Sequence, residues 1–171
     1  MFDRFQGLPA HPLIVHAAVV FIPLLALGAI LYAVVPGLRR YFRVVVGLLA
    51  LAAPAAVIAA VLSGNTFSKN KNLQSAALQA QISTHHNFGK TTMWLTIGLA
   101  VVTLLEVFLI APARRSRSYR GNDDALPAPS RTAPMAVQIV LGVITVGLAG
   151  VTLYYVFRTG DTGAHMVWKG F

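Results

Sequence analysis

LIVHAAVVFIPLLALGAILYAVV, residues 13–35, carries no charged side chain, and only His16 and Pro23 interrupt it. Three further stretches read the same way. Residues 44–62 hold no strongly polar group, residues 93–111 hold one charge, Glu106, and residues 136–157 have Gln138 as their most polar member. In a helix rising about 1.5 Å per residue, each run reaches roughly 28–35 Å, the thickness of the hydrocarbon core of a bilayer.

Composition agrees. The chain has 171 residues, 56% hydrophobic and 11% charged, against about 25% charged in ordinary soluble domains. So little polar surface cannot cover four buried helices in water. The fold expected is all-α, an integral membrane four-helix up-down bundle. Residues 1–171 form one membrane domain with spans near 13–35, 44–62, 93–111 and 136–157. The first apolar run is longer than the core of a secretory signal, and only Arg4 precedes it as a cation, so it is expected to be a retained helix.

The net charge of +9 does not point to nucleic acid, because the cations flank apolar runs. Arg39, Arg40 and Arg43 crowd the first loop. Arg114, Arg115, Arg117, Arg120 and Arg131 lie in loop 112–135, which is rich in Ser and Pro and is expected to be flexible. The other side holds Arg4, Lys69, Lys71, Lys90, Arg158 and Lys169, spread more thinly. The positive-inside rule then places both Arg-rich loops in the cytoplasm and both termini outside. The partner implied first is the lipid bilayer. A membrane redox complex or a homo-oligomer is the protein partner expected.

Between the second and third runs, residues 71–86 (KNLQSAALQAQISTHH) contain good helix formers and no Gly or Pro. They are expected to extend helix 3 beyond the membrane. Ala50, Ala52, Ala53, Ala55, Ala56, Ala59 and Ala60 in helix 2, and Gly142, Gly147 and Gly150 in helix 4, are small residues suited to close helix packing in lipid. No repeat of 20–50 residues stands out beyond the general likeness of helical hairpins.

Even span parity returns His11, His16, His85, His86 and His165 to one face. Imidazole is the commonest metal ligand. His16 sits on helix 1, and His85 and His86 open helix 3, adjacent in sequence and about 100° apart, so only one points fully inward. Pro9 and Pro12 are expected to keep His11 off a regular helix, and His165 belongs to a less regular tail. The inner pair expected is therefore His16 with His85 or His86. Three readings stay open. Two imidazoles on facing helices hold b-type haem in four-helix membrane cytochromes. Alternatively, three or four of His11, His16, His85, His86 and His165 bind zinc or copper. Or the chain carries no cofactor and is an accessory or scaffolding subunit, with helices 2 and 4 packing in a larger complex.

Glu106 is the one acid within a span. A carboxyl there is costly unless neutral or paired. It could relay protons or bind a cation, but a structural ion pair with Arg39 or Arg114, or contact with headgroup water, is expected, because no Asp or Glu lies in another span to extend a proton path. A lone acid without a pair of broken-helix repeats gives a transporter little support. Cysteine is absent, which excludes disulfides and thiolate metal sites within the chain. No P-loop, GxSxG or paired carboxylates appear, so an enzyme would be at most a redox component.

The opening GLPAHPLIVHAAVVFIPLL, residues 7–25, resembles the H-P-x-x-V-H start of a family of small bacterial membrane proteins, usually four-helix and of unknown function. The matching positions are His11, Pro12, Val15 and His16. The likeness extends to Ser63-Gly64, the histidine opening helix 3, and the GDTGAHMVWKG tail. It implies a four-helix membrane domain. Some members are joined to Rieske-type iron–sulfur domains, so the resemblance also implies electron transfer.

Overall fold

A computed structural model describes residues 4–5, 8–68, 76–110 and 133–168. Four helices make up nearly all of it: α1 (Ala10–Val34), α2 (Arg39–Phe67), α3 (Ala76–Leu109) and α4 (Met135–Trp168). Ahead of α1, Arg4–Phe5 pairs antiparallel with Leu8–Pro9. A single 3-10 turn, Pro36–Leu38, joins α1 to α2. Most of the expected flexible loop at 112–135 lies outside the described residues. Pro23 and Pro54 sit inside α1 and α2 without ending them.

All four helices are long and apolar enough to cross a membrane. Their apolar surface faces outward. Leu48, Phe108, Val143 and Phe157 are each more than 60% exposed, a surface that only lipid can cover without penalty. The chain is thus a membrane protein with four candidate spans. Helix α3 begins at Ala76, so the extension expected over 71–86 is helical and continuous with the span from residue 76 on, and residues 71–75 lie outside the described residues. Helix α4 runs to Trp168, so His165 is helical rather than part of an irregular tail. His11 is helical too. The prolines do not exclude it, because a proline in the first helical turn forfeits no intrahelical hydrogen bond.

The helices pack in a ring, α1 to α2 to α3 to α4 and back to α1, with α1 and α3 meeting slightly across the diagonal. The interior is built from small residues that let the helices approach closely. Ala18, Ile22, Leu25, Ala26, Ala29 and Tyr32 form the buried stripe of α1. In α3 the buried stripe includes Thr92, Thr96, Leu99, Ala100, Thr103 and Glu106. Position by position these share a single sequence offset. Val46, Ala50 and Ala53 of α2 correspond likewise, at another constant offset, to Thr145, Ala149 and Thr152 of α4. The bundle is two helical hairpins in matching register, related by a pseudo-twofold axis along the bundle. This register is longer than the 20–50 residues over which no repeat was expected, and it gives the general likeness of the helical hairpins a position-by-position form. The repeat lies in which positions are buried, and few of the paired residues are identical.

Candidate functional site at the histidine end

Counting back along the buried stripe of α1 explains which histidine faces inward. Ala18 is buried and His11 is seven residues earlier, two helical turns away on the same face. His16 is two residues before Ala18, on the opposite side, and is exposed. Its Nδ1 donates to the Pro12 carbonyl within its own helix. The expected pairing of His16 with helix 3 is therefore not formed, and His11 takes the inward position. In α3, His85 occupies the position equivalent to His11.

Each inward imidazole is held the same way. His11 Nδ1 lies 2.9 Å from Ser63 Oγ on α2. His85 Nδ1 lies 3.1 Å from Thr162 Oγ1 on α4, and Thr162 is the equivalent of Ser63. Proton bookkeeping assigns the tautomer. Ser63 Oγ gives its one hydrogen to the Ala60 carbonyl, 2.9 Å away. Thr162 Oγ1 gives its own to the carbonyls of Arg158 and Thr159, both 3.0 Å away. Each hydroxyl can then only accept from imidazole. This hydrogen-bond pattern favours the tautomer that donates from Nδ1 in both rings. Fixing the tautomer through the other ring nitrogen is how proteins orient histidine ligands.

Glycine makes room for both rings. A Cβ on Gly64 would stand 3.0 Å from His11 Cε1, and one on Gly163 would stand 3.1 Å from His85 Cε1. The recurring unit is thus a histidine near the start of the first helix and a Ser-Gly or Thr-Gly pair near the end of the second. The sequence held a signal for it, in Ser63-Gly64 and Thr162-Gly163, but Thr162 and Gly163 are missed when histidines alone are followed.

These groups lie beyond the hydrocarbon stretches. His11 precedes residue 13, and His85 is roughly 12 Å of helix above residue 93. Burial lowers the proton affinity of His11, the neighbouring His85 lowers it further, and the Ala60 carbonyl opposes both. Burial also lowers that of His85, against the Thr159 carbonyl, with His86 adding a smaller push downward. Both effects favour neutral imidazole, the form that binds metals.

The other histidines are placed apart. His86 is half-exposed, and burial followed by the Lys90 charge lowers its proton affinity. His165 is exposed, with Nε2 3.8 Å from Asp161 Oδ1 of the same helix, so it does not fold over the mouth. Among the described residues, no three of His, Cys, Asp or Glu converge where they could hold a metal ion.

The opposite end of the bundle has its own polar cluster. Arg39 is buried and donates from Nε to the Tyr32 carbonyl at 2.9 Å, from one terminal nitrogen to the Ala33 carbonyl at 2.9 Å, and from the other to Gln138 Oε1 at 2.8 Å. Arg39 and Gln138 are themselves equivalent positions of the two hairpins. Tyr32 donates its hydroxyl to the Ile110 carbonyl at 3.1 Å. Glu106 is fully buried, with Oε1 accepting from Thr145 Oγ1 at 3.0 Å and Oε2 unpartnered. The expected ion pair with Arg39 is not formed, because three protein acceptors engage that guanidinium. Arg114 lies outside the described residues.

Residues 7–170 match the model of a family described as "Predicted membrane protein (DUF2231)". The chain belongs to this family. The match takes in all four helices and both histidine–hydroxyl pairs, so the paired site lies within the family domain. No curated protein and no solved structure matches the chain.

Proposed function

We propose that this DUF2231 protein is a bis-imidazole redox module of the bacterial plasma membrane, with His11 and His85 holding a b-type haem at the extracytoplasmic mouth of the bundle. The observation that carries this reading is the equivalence of the two imidazoles, each held at Nδ1 by a hydroxyl of the second helix of its hairpin. Haem iron can be held by protein imidazoles alone. Structural zinc takes four protein ligands and catalytic zinc three, so a two-histidine set favours haem. Bound there, haem would supply one-electron transfer. The residues of the chain would orient the ligands through Ser63 and Thr162 and keep the rings neutral by burial. Arg39, Arg40 and Arg43 at the opposite end support an orientation with the histidines outside.

Absorption spectroscopy of detergent-purified full chain from haem-replete cells tests the reading. A Soret band with a reducible α-band is expected, lost in His11→Ala and in His85→Ala and kept in His16→Ala. A colourless protein would overturn it.

One observation favours the cofactor-free accessory subunit as a second reading. Helix α4 has the least buried apolar surface of the four, and Gly147 and Gly150 on it face open space. Ala50, Ala53 and Ala60 of α2 are already used inside the bundle, so a docking face would lie on α4. Loss of co-purifying partner on Gly147→Leu, in a protein without haem, would select this reading.

A further inference from the structure

The two hairpins share their packing and differ in their chemistry. Where the α1–α2 seam buries Ala18, Ile22, Ala29, Val46 and Ala53, the equivalent positions of the α3–α4 seam are Thr92, Thr96, Thr103, Thr145 and Thr152. Close packing does not require these hydroxyls, because the first hairpin reaches the same register with apolar residues. Threonine is also no better a helix former than those residues. The substitutions make a one-sided polar column through a bundle whose other seam is apolar.

The column has defined ends. At the histidine end, His85 meets Thr162, and Thr92 Oγ1 lies 2.9 Å from Thr159 Oγ1. At the other end, Thr145 donates to Glu106. Between them Thr96, Thr152 and Thr103 are buried, each hydroxyl donating to a carbonyl one turn back at 2.7 Å. Successive rungs are about one helical turn, roughly 5.4 Å, apart along the axis, a distance that one bridging water per gap would close. Glu106 Oε2 is the separate observation that gives the column a purpose: it is a fully buried carboxyl oxygen with no hydrogen-bond partner. Among the described residues, Tyr32 from α1, Arg39 from α2 and Thr145 from α4 are the polar groups near that carboxyl, and none forms an ion pair with it.

We propose that the α3–α4 seam is a proton path and that Glu106 is the proton-binding site at its end. A proton entering from hydronium at the His85 mouth passes between water and hydroxyl oxygens, each threonine turning its own hydrogen from the helix carbonyl to the next water as it accepts a new one, and the last transfer forms the O–H bond on Glu106. One proton is gained at the carboxylate and one lost from hydronium, which becomes water. No electron moves, and the path needs no cofactor at His11 and His85, so its failure and that of the haem reading are separable.

Infrared spectroscopy of the full chain, transferred from H2O to D2O across a pH series, tests it. A carboxylic C=O band that disappears in Glu106→Gln is expected, and it should exchange with deuterium. Thr96→Ile with Thr152→Ala installs the residues the first hairpin already accommodates, and should slow that exchange by about tenfold or more. Thr96→Ser with Thr152→Ser should keep the original rate. If the apolar double variant does not fold, labelling of the unmodified chain at Glu106 by a membrane-permeant carbodiimide, read by mass spectrometry, replaces it. Absence of any Glu106-dependent band, exchange at the original rate in the apolar variant, or no labelling of Glu106 would each overturn the proposal.

Discussion

The imidazole of His11 rests against Gly64 so closely that a single added methyl group would stand 3.0 Å from its Cε1. His85 and Gly163 repeat the relationship at 3.1 Å. Gly64→Ala should therefore push the His11 ring off Ser63, at a cost of about 1–3 kcal/mol for overpacking, and Gly163→Ala should do the same to His85. Gly147 meets nothing within 4 Å. Gly147→Ala should be neutral or stabilising by about 0.5–1 kcal/mol, because alanine is the better helix residue. Thermal unfolding of the three variants in one detergent should rank them accordingly. Equal melting temperatures for Gly64→Ala and Gly147→Ala would remove the cradle role.

The contrast between His11 and His16 shows where sequence reading stops in a membrane protein. The four spans were legible because each is an unbroken apolar run, and the placement of the histidines at one end of the bundle followed from span parity. Which histidine faces inward was not legible. In α1 the lipid-facing residues Val19, Val20 and Leu24 are as apolar as the buried Ile22 and Leu25, so no polar face marks the outside. The hairpin repeat was hidden for the same reason. Lipid accepts any apolar side chain, which leaves outward positions free to diverge, and several inward pairs match in location while differing in chemistry, as Tyr32 and Glu106 do. The role of Arg39 was missed because a loop cation reads first as an orientation signal.

Arg39 is 8% exposed and makes hydrogen bonds to Tyr32, Ala33 and Gln138, so it ties the α1–α2 turn to α4. Arg39→Met should cost about 3 kcal/mol or more, since each charge-assisted bond is worth about 1.5–3 kcal/mol and buried acceptors would be left unpaired. Arg39→Lys should recover only part of this, because an ammonium group cannot reproduce the guanidinium fork. Unfolding in detergent measures both. Full stability in the lysine variant would reduce Arg39 to a point charge.

His11 and His85 both hold their protons less tightly than the ordinary imidazole value of 6.5. In the unfolded chain they titrate near that value, so below it the unfolded state binds more protons than the folded one. Stability therefore rises with pH through this window. The histidine contribution should be fully present above about pH 7 and fall on acidification, until the folded-state values are passed. A melting-temperature series from about pH 8 to 5 on the protein and on a His11→Asn/His85→Asn variant isolates the effect. The difference between the two should shrink or reverse in acid. A difference constant with pH would show that neither ring titrates in this range.

The absence of cysteine makes orientation directly testable. Thr84 is exposed on α3 at the histidine end, and Gly37 is exposed in the α1–α2 turn with nothing within 4 Å of an added Cβ. The arginines nearest Gly37 predict that this turn is cytoplasmic. In intact cells, an impermeant maleimide should label Thr84→Cys and leave Gly37→Cys unlabelled until the membrane is opened. The reverse pattern would turn the bundle over, carrying His11 and His85 to the cytoplasm together, because both hairpins enter from the same side. Labelling of both positions in intact cells would mean two orientations coexist, and would contradict the single orientation predicted from the arginine cluster. Measuring the two sites in separate strains at matched expression keeps these outcomes distinct, since each reports one end of the same bundle.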